Sequence, residues 1–173
     1  MKLTVKELVV FGMLAALMVA TTWIMSFLPN IHLVDVFIIA MTVVYRQKAL
    51  YPLYLFVFVQ GLFNGFQPWW LPYLYIWAVP WLITMLLPKK MPVWLAPIVY
   101  AVVASLHGFL FGVLYAPAQA LMFGLTFEKT IAWIIAGLPF FDITHGVSNF
   151  ICGLLLIFPL IKVLSQSEKY ISK

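Results

Sequence analysis

The sequence predicts an all-α integral membrane protein: a single bundle of six transmembrane helices, residues 1–173, with both termini on the cytoplasmic side. Three observations carry that expectation. Hydrophobic residues make up 65% of the chain and charged residues only 9%, with a mean hydropathy of +1.08, whereas soluble domains are nearer half apolar and a quarter charged. The apolar residues come in blocks of roughly bilayer length, punctuated by Pro, Gly, Asn and basic residues. The basic residues then fall at alternate gaps between the blocks, which is the positive-inside pattern of a multi-pass chain.

The spans are expected at 7–28, 31–45, 49–65, 71–87, 93–115 and 142–164. The first has a basic start and an apolar core like a signal peptide, but the apolar run continues to Leu28 with no A-x-A site after it, so it reads as a retained helix. Pro29-Asn30 ends it, Arg46-Gln47-Lys48 ends the second, and Asn64-Gly65-Phe66-Gln67-Pro68 ends the third. Pro88-Lys89-Lys90-Met91-Pro92 separates the fourth from the fifth. The second span is short for a bilayer that needs about 20 apolar residues. Charge nevertheless favours counting it. Six crossings place Lys2, Lys6, Arg46, Lys48, Lys89, Lys90, Lys169 and Lys173 inside and leave only Lys129 of ten basic residues outside. Residues 116–141 form a longer outer segment whose apolar half, "FEKTIAWIIAGLPF", is too short to span and is expected to dip into the outer leaflet or cover the bundle as a lid.

Gly12, Ala16 and Ala20 recur every four residues along the first span, with Ala15 beside them. Such a small-residue stripe lets another helix approach closely in lipid. The spacing fits a neighbour in the same chain and a docking face for another protein equally well.

The stretch "GLPFFDITHGVSNF", residues 137–150, places three polar groups at the mouth of the last span. Pro139 is expected to end the preceding helix and Asp142 to cap the next. Asp142, His145 and Asn149 then share one helical face at i, i+3 and i+7, which must turn away from lipid because a mid-membrane Asp costs about 2.5–3.5 kcal/mol. Other polar and aromatic groups are expected at the same outer level. These are His107, Asp35, Asn64 and Gln67, then Trp69, Trp70, Tyr73, Tyr75 and Trp77, with Tyr115 and Gln119 after the fifth span. Aromatic walls with a few convergent polar groups suit a small-molecule pocket, although Trp69, Trp70 and Tyr73 also fit an interfacial aromatic belt.

Several classes are set aside. There is no H-E-x-x-H, C-x-x-C, paired-Glu motif or phosphate-binding G-x-x-x-x-G-K-[ST] loop, so ATP hydrolysis is not expected of this chain. The three histidines and the outer Asp residues carry no metal-ligand spacing, and neither metal nor cofactor is expected. Ser148 is next to the histidine face but not on it, which argues against a Ser–His nucleophile. Cys152, the sole cysteine, is expected to act as a small buried hydrophobe. The net charge of +5 is too scattered for a nucleic-acid stripe.

Six short helices with both termini inside, the Ala16-Leu17-Met18-Val19-Ala20 ridge, and the element Pro139-Phe140-Phe141-Asp142-Ile143-Thr144-His145-Gly146 together resemble the substrate-binding S component of energy-coupling factor (ECF) vitamin transporters. Riboflavin-type members read P-F-N and Lys where this chain has Asp142 and His145. The resemblance implies a multi-pass protein of the bacterial cytoplasmic membrane that binds a vitamin or precursor on its outer side. It also implies docking through Gly12, Ala16 and Ala20 onto a transmembrane coupling protein driven by two ATPase subunits. In that frame Asp142, His145 and Asn149 would hydrogen-bond the ligand. Trp69, Trp70, Tyr73 and Tyr115 would enclose it, with His107, Asn64 and Gln67 as secondary contacts. The aromatic content suggests a pyridine- or pyrimidine-type ring compound, with a cobalamin-like ligand also open. The rival readings are a stand-alone secondary transporter, an intramembrane enzyme using His145 and Asp142, and a purely structural partner.

Overall fold

The computed structural model describes residues 3–171, and among them every regular element is helical, with no strand. Helix α1 (Val5–Ile24) begins on a capping box. The Thr4 hydroxyl accepts from the Glu7 backbone N–H at 3.2 Å, and the Glu7 carboxylate accepts from the Thr4 N–H at 2.8 Å. Both orphan donors of the first turn are thereby satisfied. The same Glu7 carboxylate forms an ion pair with Lys48. Lys48 lies in the 3-10 turn Arg46–Ala49, which joins α2 (Val34–Tyr45) to α3 (Leu50–Asn64). At this end Arg46 also donates to the Met85 carbonyl at 2.8 Å and lines a shared cleft with Lys48 and Lys89.

Helix α2 is the centre of the molecule. Ten of its 12 residues are buried, and it packs against the helices at Ala78–Leu86, Ala96–Phe109 and Phe158–Ile171 as well as α1. A helix apolar on nearly all sides belongs in a protein core or in a bilayer, and its burial puts α2 in the core. That position accounts for its shortness, because protein rather than bilayer surrounds it.

After α3 a 3-10 turn at Pro68–Trp70 leads into α4 (Tyr73–Ile76) and α5 (Ala78–Leu86). Helix α6 (Ala96–Phe109) is followed by α7 (Phe111–Phe123) with only Leu110 between them. The run "APAQALMF", expected in an outer loop, is therefore helical, with Pro117 inside α7; Gly124, at φ +61°, ends it in the left-handed conformation that glycine adopts without strain. The chain turns back into α8 (Phe127–Gly137), whose N-cap Thr126 accepts from the Lys129 N–H at 3.4 Å.

The last helical stretch corrects the sequence reading. Pro139 does not end the helix and Asp142 does not cap the next one. The chain continues through a π turn at Leu138–Asp142 into α9 (Ile143–Cys152), and through a second at Gly153–Ile157 into α10 (Phe158–Ile171). Asp142 has helical dihedrals and makes no side-chain cap bond. Proline lacks an N–H and crowds the carbonyl four residues back, and the wider π turn accommodates both defects without breaking the helix.

Among the described residues, four helical stretches are long and apolar enough to cross a membrane: Val5–Ile24, Pro68–Leu86, Ala96–Phe123 and Phe127–Ile171. The region expected to supply two further crossings, at 31–45 and 49–65, forms helices of 12 and 15 residues, Val34–Tyr45 and Leu50–Asn64, joined by the turn at Arg46–Ala49.

The tightest helix contact joins α6 to α9. A Cβ on Gly108 would lie 2.7 Å from the backbone N of Gly146, and one on Gly153 would lie 2.9 Å from the Cα of Ala101. The Ser105 hydroxyl crosses the same seam and donates to the Gly146 carbonyl at 3.0 Å. Small residues allow this approach. Gly108 and Gly146 are each preceded by a histidine, so the seam brings His107 and His145 together.

Candidate functional site

Two polar centres lie at the opposite end of the bundle from the Glu7–Lys48 pair. The first is organised by Asp35, which is completely buried in the first turn of α2. Its Oδ2 accepts from the Asn149 side-chain amide at 2.8 Å, and the same amide nitrogen also donates to the Ala104 carbonyl at 3.1 Å. Its Oδ1 lies 2.7 Å from Nδ1 of His107, in an ion-pair contact rather than an aligned hydrogen bond. The other nitrogen of His107, Nε2, donates to the Ile76 carbonyl at 3.2 Å, which fixes the ring between α2 and α4. His145 Nε2 lies 3.6 Å from Oδ2 of Asp35, beyond hydrogen-bond reach. His32, from the segment joining α1 and α2, stacks edge-on against His145 with ring centroids 4.5 Å apart. All three histidines of the chain thus gather around one carboxylate.

The second centre is a cleft of about 390 Å³ between α7, α8 and the π turn at 138–142. Asp142 lies in its wall. One carboxylate oxygen accepts from the Gly112 backbone N–H at 3.0 Å, while Oδ2 is buried without a partner. A Cβ on Gly112 would fall 2.5 Å from that Oδ2, so the carboxylate keeps this position only while residue 112 is glycine. The other walls are aromatic and apolar: Phe111, Tyr115, Trp133 and Phe141, with Ile134 and Ala136. Tyr115 and Trp133 stack at 5.9 Å and 28°. Phe111 is the partition between the two centres, since it lines the cleft and also contacts His107 and His145, at centroid distances of 5.9 and 5.0 Å.

The residues expected at the site therefore divide. Asp142 and Tyr115 line the cleft, and Tyr115 also donates through its hydroxyl to the Trp69 carbonyl at 3.3 Å. His107, His145 and Asn149 belong to the Asp35 centre. Trp69, Tyr73, Trp77, Phe111, Tyr115 and Trp133 form a continuous series of ring contacts that buttresses both. Trp70 turns the other way, donating to the Val57 carbonyl at 2.8 Å and packing on Phe66. Asn64 and Gln67 are exposed, and the Asn64 amide is held by Gln60 through bonds of 2.8 and 3.1 Å. The Ser148 hydroxyl donates to backbone carbonyls of His145 and Asn30, at 3.0 and 3.4 Å. On α1, Ala15 is buried against the bundle while Ala16 and Ala20 are exposed; with Gly12 they line a shallow apolar groove beside Leu55, Val59 and Phe63 of α3.

Sequence reasoning passed over Phe111, Gly112 and Trp133, and weighed His32 only as one of three histidines without metal-ligand spacing. A usable signal existed for part of this set. The dipeptide His-Gly occurs at 107–108 and again at 145–146, and paired small residues beside paired polar ones mark a close helix crossing with polar groups at its edge. Compared with protein families, with characterised proteins and with solved structures, the chain matches none.

Proposed function

We propose that this chain is the substrate-capture component of an ECF-type vitamin transporter, taking up its ligand in the cleft beside Asp142. The observation that carries the reading is the cleft: about 390 Å³, walled by aromatic rings, with one buried carboxylate oxygen left unpartnered. Ligand pockets are mostly apolar concavities in which a few polar groups set orientation. A lone carboxylate among rings favours a compact ring compound with a cationic or hydrogen-bond-donating group. The modest volume favours such a pyridine- or pyrimidine-type ligand over a cobalamin-like one.

The surrounding roles follow from that reading. Trp133 and Tyr115 enclose the ring, and α8 serves as the cover. Six crossings with both termini in the cytoplasm place the basic end, Arg46, Lys48 and Lys89, inside and the cleft outside. The exposed stripe of Gly12, Ala16 and Ala20 docks on a transmembrane coupling protein, and two ATPase subunits supply the energy this chain has no motif to harvest.

A second reading, a stand-alone secondary transporter, draws on Asp35, a buried acid ringed by histidines of the kind that carries protons in transporters. Mass spectrometry of the small molecule that co-purifies with the membrane-embedded chain separates the two. A stoichiometric ring-bearing compound supports capture. Uptake into sealed vesicles by the chain alone, without any ATPase, replaces that reading with the second.

A further inference from the structure

We propose that His32, Asp35 and His145 form a binding site for a single borderline divalent transition cation, the class that includes Zn2+, Co2+ and Ni2+. One ligand atom from each of the three residues lies within 4.8 Å of the other two. The His145 Nε2–Asp35 Oδ2 separation of 3.6 Å is already close to the edge of about 3.4 Å between ligands in a tetrahedral site with bonds near 2.1 Å. The donor set of two imidazoles and one carboxylate suits this class of ion and not Mg2+ or Ca2+, which take oxygen ligands.

Two further observations point to an ion rather than to packing. His32 Nδ1 and His145 Nε2 are both buried and neither has a hydrogen-bond partner, although buried polar atoms in folded proteins nearly always have one. The surroundings also supply an outer shell. Asn149 donates to the ligating oxygen of Asp35, and His107 contacts the other oxygen while its far nitrogen is tied to Ile76. Carboxylate ligands oriented in this way are a regular feature of metal centres. His32 lies outside the regular helices, and its small inward movement would close the site, pinning the α1–α2 connection onto α2 and α9.

The proposal does not rest on the cleft reading. An inert cleft leaves metal stoichiometry at one, and absence of metal leaves ligand retention at Asp142 untouched. The test uses the untagged full chain in lipid nanodiscs, stripped with chelator and titrated with Zn2+ alone and, separately, Co2+ alone. We expect one equivalent bound, with intense visible absorption from low-coordinate Co2+. His32→Gln and His145→Gln should each weaken binding about 100-fold or more, and His107→Gln about 10-fold, as loss of an outer-shell partner typically does. Where a variant folds poorly, the wild-type chain decides: Zn2+ must shift the ring nitrogens of His32 and His145 in the NMR spectrum. Failure of the wild-type chain to bind either ion at micromolar concentration overturns the proposal. So does undiminished binding in the His32→Gln/His145→Gln double variant, or unshifted rings.

Discussion

Asp35 and Asp142 are both buried carboxylates, at 0% and 3% exposure, yet they are held in opposite ways. Asp35 meets side chains from two other helices at both of its oxygens. Asp142 receives one backbone N–H from Gly112 of α7 and presents its second oxygen to a cleft. A carboxylate with both oxygens engaged ties helices together, and its neighbours depend on it. A carboxylate with one oxygen free retains hydrogen-bonding capacity that only a visiting molecule can use. Burial is alike in the two acids; what differs is that side chains of the bundle stand against both oxygens of Asp35, whereas one oxygen of Asp142 faces a cleft.

The largest effect comes from breaking the saturated side. Asp35→Ala removes one of the two acceptors of the Asn149 amide and leaves His107 without its acidic neighbour inside the bundle. Removing one partner from a buried charge pair typically costs about 3–5 kcal/mol. Denaturant unfolding in detergent should register a loss of that order. A loss under about 1 kcal/mol would show that Asp35 does not hold α2, α6 and α9 together, and would erase the contrast with Asp142.

On the receptive side the expected pattern inverts. Asp142→Asn keeps the size of the side chain and an oxygen for the Gly112 N–H, so the unfolding midpoint should barely move. What it removes is the charge at the cleft. A hydrogen bond to a charged group contributes about 1.5–3 kcal/mol, so affinity for the co-purifying ligand should fall roughly 10- to 100-fold. Tryptophan fluorescence offers the readout, since Trp133 lines the cleft. Affinity within twofold of wild type would remove Asp142 from the ligand's contacts.

The all-helical, apolar character of the protein was legible because composition is a whole-chain property, and the helical blocks need no partner to be seen. The site was legible in part. Asp142, His145 and Asn149 share a helical face, as their spacing implies, but the face serves two centres because the π turn at 138–142 places Asp142 beside Gly112 rather than beside Asp35. A proline in a greasy stretch reads as a break, and whether the chain breaks or widens depends on the helices packed around it. His32 could not be paired with His145 from the sequence. They are more than 100 positions apart, and only the Gly108–Gly146 seam and the packing of α2 bring them together. Asn64 and Gln67 looked equivalent to the others because loop position was known and side-chain direction was not.

Two glycines four residues apart sharpen the comparison further. A Cβ on Gly108 would meet the α9 backbone at 2.7 Å, whereas one on Gly112 would meet the Asp142 carboxylate at 2.5 Å. A methyl group at Gly108 has no flexible neighbour to displace, so Gly108→Ala must push α6 and α9 apart, and overpacking of this kind typically costs about 1–3 kcal/mol. The separation also pulls His107 from His145 and should lower stability and disturb the Asp35 centre together. A methyl group at Gly112 meets the end of a side chain, which can rotate away. Gly112→Ala should therefore leave stability within about 0.5–1 kcal/mol of wild type, while the displaced carboxylate weakens ligand retention. Unfolding curves and ligand titrations on the two variants decide the matter. Equal losses of stability would mean that the α6–α7 segment is rigid throughout and that Asp142 is as structural as Asp35, whereas a split confines the structural role to the α6–α9 seam and leaves the cleft free to adjust around its guest.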